Sequence, residues 1–107
     1  MNPKCIFCKI IAGEIPCELV ARSDQWVAFK DIHPKARVHV LVLPTSHIPT
    51  LNDVKDLDQD LLGELLIACS SIARKQGIAE SGYRVAINVG KGGGQEVFHL
   101  HLHVMGD

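Results

Sequence analysis

Three histidines alternate with aliphatic residues near the carboxyl end of the chain, in the stretch His99-Leu-His-Leu-His103-Val. Side chains of a β-strand point to opposite faces in turn, so the pattern predicts a strand with its imidazoles on one face. Neighbouring histidines would lie about 6.6 Å apart along such a strand. We therefore expect one face to join a hydrophobic core and the other to present a row of nucleophiles or ligands.

Length and composition restrict the class of protein. The chain has 107 residues and a net charge of −1, which suits one compact domain over residues 1–107 and gives no electrostatic basis for a nucleic-acid partner. No apolar run approaches the roughly 20 residues that span a membrane, and the first residues lack the apolar stretch of an export signal. We expect a cytoplasmic protein without a membrane partner, with its four cysteines as thiols or metal ligands.

Hydrophobic patterning predicts two helices and five strands. A short helix is expected over residues 5–12, and a long one over residues 54–75, where apolar residues recur at i, i+3 and i+4 between an acidic start and a basic last turn. The predicted strands cover residues 17–22, 26–30, 38–43, 83–89 and 97–105. Short polar connections favour an antiparallel meander with the helices on one face, which is an α+β domain.

The histidine row has more than one chemical interpretation. His101 could be a nucleophile towards phosphorus, because a neutral imidazole carries a lone pair and its phospho-histidine can be hydrolysed by water. The three imidazoles could instead hold one catalytic zinc ion, or the row could be structural. His39 shares a face of the predicted central strand with Leu41 and Leu43, which favours a polar cluster beside the row. Spacing alone leaves nucleophile and metal site open.

Two further patterns point to a bound anion and its sugar. A glycine-rich segment over residues 88–96 leads into the histidine strand, and glycine lets backbone N–H groups approach an anion closely. The segment matches neither of the common phosphate-loop motifs, so its position beside the histidines carries the argument. Asp31 follows an aromatic strand, where its carboxylate could be a solvated turn residue or could accept both hydroxyls of a ribose.

The cysteines divide into two pairs. Cys5 and Cys8 could be two small apolar residues of a short helix, or they could form half a zinc site, which His47 and His99 would complete if the fold brings them together. The other two have no evident partner and are interpreted as core residues, namely Cys17 and Cys69.

The chain resembles the histidine triad superfamily, whose signature His-φ-His-φ-His-φ-φ reads here His99-Leu-His-Leu-His103-Val-Met. It looks most like the Hint branch of nucleotide-binding proteins, and the likeness covers nearly the whole chain. The other matching stretches are Cys5-Ile-Phe-Cys-Lys-Ile-Ile-Ala-Gly-Glu-Ile-Pro16, Ala28-Phe-Lys-Asp-Ile32, His39-Val-Leu-Val-Leu-Pro44 with His47-Ile48, Asn88, and Gly93-Gly-Gln-Glu-Val-Phe98.

The resemblance implies an assembly and an activity. Such proteins are homodimers in which two five-stranded antiparallel sheets join into ten strands. They bind purine nucleotides such as AMP or GMP and hydrolyse phosphoramidates of these nucleotides, without an organic cofactor. A nucleotide-binding protein with little activity is the alternative, and a zinc enzyme that activates water with the histidine row is a third hypothesis.

The resemblance also implies residue roles. His101 would form a nucleotidyl-histidine, with His103, His39 and Asn88 around the phosphate, and Asp31 would accept the ribose hydroxyls. The base pocket would consist of Phe7, Ile10, Ile15, Phe29 and Ile32, and the loop residues near the phosphate would be Gly94, Gln95, Glu96 and Val97. One structural zinc ion per chain would be held by Cys5, Cys8, His47 and His99, which makes His99 a ligand. Glu96 stands where many animal relatives have Ser and matches the bacterial pattern.

Overall fold

The computed structural model describes residues 2–107 and shows an α+β fold built on a five-stranded antiparallel sheet. The strands are β1 (Leu19–Arg22), β2 (Trp26–Lys30), β3 (Val38–Pro44), β4 (Arg84–Ala86) and β5 (Leu102–Gly106), and the helices are α1 (Ile6–Ile11) and α2 (Gln59–Lys75). This confirms the predicted fold class, with its short helix, long helix and five antiparallel strands. Met1, the first residue of the predicted domain 1–107, lies outside the described residues.

The strand order is β1-β2-β3-β5-β4, so the predicted meander is wrong after β3. β3 is buried along its whole length and requires buried neighbours on both sides. β5 provides one, since its Val104 lies opposite Val40 in a fully buried pair. β4 is short and mostly exposed, with Arg84 at its start, so it takes the edge of the sheet although it precedes β5 in the chain.

The two helices lie on opposite faces of the sheet, and the prediction that both cover one face is wrong. α2 packs against β3 and β5, in the core cluster that contains Val40 and Val42. α1 lies on the other face, where Phe7 belongs to the cluster that contains Leu41 and Leu43. Alternate residues of β3 thus serve two separate cores. None of the helices within residues 2–107 is both long and apolar enough to cross a membrane.

α2 begins at Gln59, later than the apolar periodicity predicts. The preceding residues form two short 3-10 turns, at Leu51–Asp53 and Asp56–Asp58. Val54 between them is extended, with a ψ of 152°, so the backbone leaves the helical region once before the helix starts. The apolar side chains before Gln59 therefore belong to turns.

The last two strands are shorter than predicted, yet the alternation of side chains is confirmed. The backbone before Leu102 is irregular, and the N–H of Leu100 donates to the carbonyl oxygen of Ile48. Leu100 and Leu102 still join the core on the α2 side, while the rings of His99 and His101 lie beside Phe7 on the α1 side. Side chains therefore continue to alternate between the two faces of the sheet in the irregular segment before β5.

Cys69 and Cys17 have different environments. Cys69 is buried in the core on the α2 side, and burial raises the pKa of its thiol to about 11. Cys17 is exposed, so its interpretation as a core residue is wrong. It precedes β1 at the mouth of a cavity on the α1 face, where no core packing reaches it.

Candidate active site

His101 is buried on the α1 face, and one hydrogen bond defines its tautomer. Its Nδ1 lies 2.7 Å from the backbone carbonyl oxygen of His99, which only accepts, so Nδ1 carries the ring proton and donates it. The ring packs edge-on against Phe7, with 5.0 Å between centroids. Burial lowers the pKa of His101, so the ring stays neutral and Nε2 keeps its lone pair. An imidazole in this state is a nucleophile.

His39 and His103 form a hydrogen-bonded pair beside His101. The backbone N–H of Lys35 donates to Nδ1 of His39 at 3.1 Å, so the ring proton of neutral His39 is on Nε2. That Nε2 lies 2.9 Å from Nδ1 of His103 and 3.4 Å from Oδ2 of Asp31. His39 therefore donates to His103, whose own ring proton is left on Nε2.

The Nε2 atom of His103 is buried and has no hydrogen-bond partner among residues 2–107. A buried donor without a partner costs about 1–3 kcal/mol, so such groups call for a functional explanation. Burial, followed by the neighbouring rings of His101 and His39, lowers the pKa of His103 to about 4. A neutral ring with one free N–H is suited to donate to an anionic oxygen.

A cavity of about 290 Å³ adjoins these histidines on the α1 face. Its volume is close to the lower end of the range for small-molecule sites, about 300–1,000 Å³. The predicted residues that line it are Phe7, Ile10, Ile15, Phe29, Asp31, Ile32, His39, Asn88, Gly94, Glu96, Val97, His101 and His103. A second cavity of about 330 Å³ shares Asn88 and His103 with it and extends to Arg84 on the edge strand. The structure thus brings together every predicted catalytic and nucleotide-binding residue except one.

Gln95 is the exception, because its side chain holds the glycine-rich loop together. Its Oε1 accepts the N–H of Gly90 at 2.9 Å, and its Nε2 donates to the carbonyl oxygens of Pro49 and Val97 at 2.7 and 3.0 Å. Gly94 beside it has a φ of 82°, in the left-handed region that favours glycine. Gln95 therefore shapes the loop whose neighbours line the cavity, and it is not itself on the cavity wall.

The four residues predicted to hold zinc lie together, with one ligand atom from each within 4.8 Å of the others: Cys5, Cys8, His47 and His99. A zinc tetrahedron with Zn–S of about 2.3 Å and Zn–N of about 2.0 Å places two nitrogens about 3.3 Å apart, and a nitrogen and a sulfur about 3.5 Å apart. The Nδ1 atoms of His47 and His99 are 3.3 Å apart, and the sulfur–nitrogen distances are 3.3, 3.5 and 3.6 Å. The donor set therefore fits one tetrahedral zinc ion.

His99 is oriented as a ligand by the backbone. Its Nε2 donates to the carbonyl oxygen of Pro44 at 2.8 Å, which leaves the lone pair of Nδ1 directed at the cysteines. Burial lowers its pKa to about 4, so the ring is neutral. Because His99 belongs to the cysteine group while His103 pairs with His39, the interpretation of the row as one three-histidine metal site is wrong.

Some site residues have no signal in the sequence. The amide of Lys35 sets the tautomer of His39, yet every residue except proline carries such an amide. His33 donates its backbone N–H to Oδ1 of Asp31 at 2.9 Å, while its ring is exposed at the cavity. These contacts arise when the loop after β2 folds against β3, and no residue pattern indicates them.

The candidate active site thus combines a buried neutral imidazole, a histidine pair that presents one free N–H, and a cavity that both of them line. The family model of the HIT domain matches residues 12–107, and the chain belongs to this family and is an enzyme of it.

Relatives and solved structures agree with this assignment. The chain is 44% identical over 106 residues to a purine nucleoside phosphoramidase of Escherichia coli K12. The aligned region covers 99% of this chain and 89% of the relative. It is 47% identical over 102 residues to the protein HitA of Neisseria gonorrhoeae, at 95% and 94% coverage. A HIT family hydrolase from Legionella pneumophila Philadelphia 1 has a TM-score of 0.94 at 48% identity, with 96% and 92% of the chains covered. A histidine triad protein from Clostridium difficile has a TM-score of 0.96 at 41% identity, with 100% and 94% covered.

Proposed function

We propose that this chain hydrolyses purine nucleoside 5′-phosphoramidates of the AMP or GMP type through a nucleotidyl-histidine at His101. The observation that carries the proposal is the hydrogen bond from Nδ1 of His101 to the carbonyl of His99, which leaves Nε2 as a bare nucleophile on a cavity wall. The purine nucleoside phosphoramidase of Escherichia coli, at 44% identity, supports the substrate class.

The reaction has two displacements at the α-phosphorus. Nε2 of His101 attacks phosphorus, and the phosphorus–nitrogen bond breaks with its electron pair on the leaving nitrogen. That nitrogen takes up a proton, which we assign to a path from solvent through Nε2 of His103, and departs as an amine. Water then attacks the nucleotidyl-histidine, releases the nucleoside monophosphate and returns one proton to solvent. Protons therefore balance over the cycle.

The cavity wall divides into parts that suit the parts of a nucleotide. The apolar side supports a purine ring, since Phe7 and Phe29 stack edge to face at 5.6 Å with aliphatic neighbours around them. Asp31 supports the ribose. The side chains of His103 and Asn88 and the backbone of the segment with Gly94 and Glu96 support the phosphate. The base contacts would come from Phe7, Ile10, Ile15, Phe29 and Ile32, and loop contacts from Gly94, Glu96 and Val97.

We further propose that one zinc ion is held by Cys5, Cys8, His47 and His99, with no organic cofactor. When bound, the ion supplies a structural cross-link rather than chemistry, because four protein ligands leave no position for substrate. The chain's own residues keep the ring of His99 away from the substrate and anchor α1 to the segment before β5. His99 also offers its backbone carbonyl to His101, so the ligand and the nucleophile are adjacent.

We propose that the chain, acting as one HIT domain over residues 1–107, forms a homodimer with a ten-stranded sheet. β4 is the more suitable edge, because its own Val85 and the preceding Tyr83 are exposed. α2 also leaves Leu66 and Ile67 exposed, and covering such side chains favours association. A nucleotide rather than a nucleic acid or a membrane is the proposed partner. A cytoplasmic location suits four free thiols.

The deciding experiment is mass spectrometry of protein quenched during turnover of adenosine 5′-phosphoramidate. We expect an adenylyl adduct on the peptide that contains His101, and none in His101→Ala. Turnover without an adduct, with activity lost on chelation and restored by zinc, would favour a metalloenzyme instead. Tight AMP binding without any hydrolysis by the wild type would indicate a nucleotide-binding protein with little activity.

A further inference from the structure

Asp31 has acceptor capacity that its contacts do not use. Its Oδ1 accepts the backbone N–H of His33 at 2.9 Å, and its Oδ2 lies 3.4 Å from Nε2 of His39. An ionised carboxylate accepts about four hydrogen bonds, and 20% of this side chain is exposed on the cavity wall. Asp31 can therefore accept a sugar hydroxyl while it still faces His39.

The backbone keeps Asp31 and His39 next to each other. The N–H of Asp31 donates to the carbonyl oxygen of His39 at 3.0 Å, which continues the pairing of β2 with β3 by one residue. The side chain of His39 is 1% exposed, so its ring has little freedom to turn. The distance between the carboxylate and the ring is thus a property of the sheet rather than of a mobile surface contact.

His39 has one ring proton and two acceptors within reach. Because the amide of Lys35 occupies Nδ1, the proton on Nε2 is directed at Nδ1 of His103, 2.9 Å away, and Oδ2 of Asp31 lies 3.4 Å from the same nitrogen. This proton occupies Nδ1 of His103 and so orients its ring. The carboxylate therefore lies beside the hydrogen bond that orients His103.

Asp31 is also the carboxylate whose charge acts on both rings. Burial lowers the pKa of His39 and of His103, and the charge of Asp31 opposes this effect in each case, while Lys35 adds to it. Glu96, the other acidic residue on the cavity wall, affects neither ring. Positive charge that develops on the pair is therefore stabilised from one side, by Asp31.

We propose that Asp31 is a positioning residue for the His39–His103 pair, in addition to any contact with a ribose. The inference rests on the proposed function, since it concerns delivery of a proton to the leaving group, and it adds no bond-forming step. Loss of the carboxylate slows the chemical step, because positive charge that develops on the pair loses its counter-charge. A residue that only held the ribose would affect substrate binding instead.

A substrate without ribose hydroxyls separates these roles. Asp31→Asn keeps an oxygen for the N–H of His33 and removes the charge, and it is compared with the wild type on adenosine 5′-phosphoramidate and on the 2′,3′-dideoxy analogue. We expect kcat to fall by about 10-fold on both substrates, the scale of one lost charged hydrogen bond. Equal kcat for the two proteins on the dideoxy substrate, or a change confined to KM, would overturn the proposal.

Two controls complete the comparison. Glu18→Gln also removes one negative charge, but from an exposed ion pair with Lys30, and we expect it to leave kcat unchanged. Should Asp31→Asn not fold, Asp31→Ser serves the same comparison, because its hydroxyl also accepts the N–H of His33.

A readout without substrate keeps this proposal separate from the proposed function. We expect ¹⁵N NMR of the nucleotide-free wild type to show the ring proton of His39 on Nε2, and Asp31→Asn to shift the resonances of that nitrogen and of Nδ1 of His103. Unchanged ring resonances contradict the proposal. A wild type that turns over neither substrate contradicts the proposed function, and the NMR comparison still decides what Asp31 does.

Discussion

Two groups of histidines lie beside Phe7 on the same face of the sheet, and they differ in where their protons are. We call them the metal group (Cys5, Cys8, His47, His99) and the catalytic group (Asp31, His39, His101, His103). In the metal group, Nδ1 of His47 and Nδ1 of His99 are 3.3 Å apart, and the ring proton of His99 is donated away to Pro44. In the catalytic group, His39 and His103 are 2.9 Å apart with a proton between them.

The difference teaches that a backbone group assigns each imidazole its role. The carbonyl of Pro44 takes the Nε2 proton of His99 and leaves Nδ1 as a ligand. The carbonyl of His99 takes the Nδ1 proton of His101 and leaves the lone pair of Nε2 free for the proposed attack. The amide of Lys35 blocks Nδ1 of His39 and makes that ring a donor. Side chains of one type thus differ in which ring nitrogen carries the proton, and in each case a peptide group sets that choice.

The largest effect is expected from His101→Ala, which removes the nucleophile of the catalytic group. We expect kcat for adenosine 5′-phosphoramidate to fall by at least about 10⁴-fold, the scale seen when a covalent nucleophile is lost. Binding of AMP, measured by calorimetry, should persist because the apolar wall is intact. The matched variant His47→Ala belongs to the metal group and should lose far less kcat. Equal losses in the two variants would erase the distinction between the groups.

Zinc should stabilise the protein through one group only. We expect Zn²⁺ to raise the free energy of unfolding of the wild type by about 4 kcal/mol at a free concentration 1,000 times its Kd. Cys8→Ala should abolish this gain, whereas His103→Gln should retain it. Denaturant titrations with and without zinc measure both. Loss of the gain in His103→Gln would mean that metal binds in the catalytic group.

Acid should destabilise the fold through His103 of the catalytic group, in addition to the contribution of His99, whose pKa is also lowered to about 4. An unfolded histidine has a pKa of about 6.5, whereas the folded state holds that of His103 at about 4. The unfolded state therefore binds more protons between these values, and the free energy of unfolding falls as pH is lowered through this range. As the pH is lowered through this range, we expect the free energy of unfolding of His103→Gln to fall by roughly 1–2 kcal/mol less than that of the wild type. One pKa unit equals about 1.4 kcal/mol, and the partial exposure of His103 reduces the full effect. Identical slopes of stability against pH would contradict a buried neutral His103.

The smallest effect is expected at His33, the histidine that belongs to neither group. Its ring is exposed, and its contact with Asp31 uses the backbone N–H, which any side chain leaves in place. We expect His33→Ala to change stability by less than about 0.5 kcal/mol. Turnover should stay close to that of the wild type. A large loss of turnover would contradict this prediction and would add the ring of His33 to the catalytic group.

The sequence predicts which residues lie close together better than it predicts the hydrogen bonds between them. Alternation over residues 99–104 predicts two faces, and the structure keeps them even where the backbone before Leu102 is irregular. The four ligands of the metal group also converge as the resemblance implies. The sequence does not predict the tautomers of these rings, because the carbonyl of Pro44 and the amide of Lys35 reach the rings only after distant segments pack together.

The errors in the predicted fold have a similar origin. Burial decided the position of β4, because Arg84 and Val85 suit an edge and β3 needed a buried neighbour on each side. The spacing of residues within a strand does not indicate which strand pairs with β3. Likewise, the sequence shows Gln95 only as a polar residue of a loop. The hydrogen bonds of its side-chain amide to Gly90 and Pro49 become evident only in the structure.

α1 has only six residues, too few for a helix to persist without support. Its N-cap Cys5 and its residue Cys8 belong to the metal group, and it also supplies Phe7 and Ile10 to the cavity. A chelator or an oxidant that never enters the cavity would therefore loosen one of its walls. From the proposed zinc site and nucleotide pocket we therefore expect metal supply to change nucleotide affinity through this helix, without any change at the catalytic group itself.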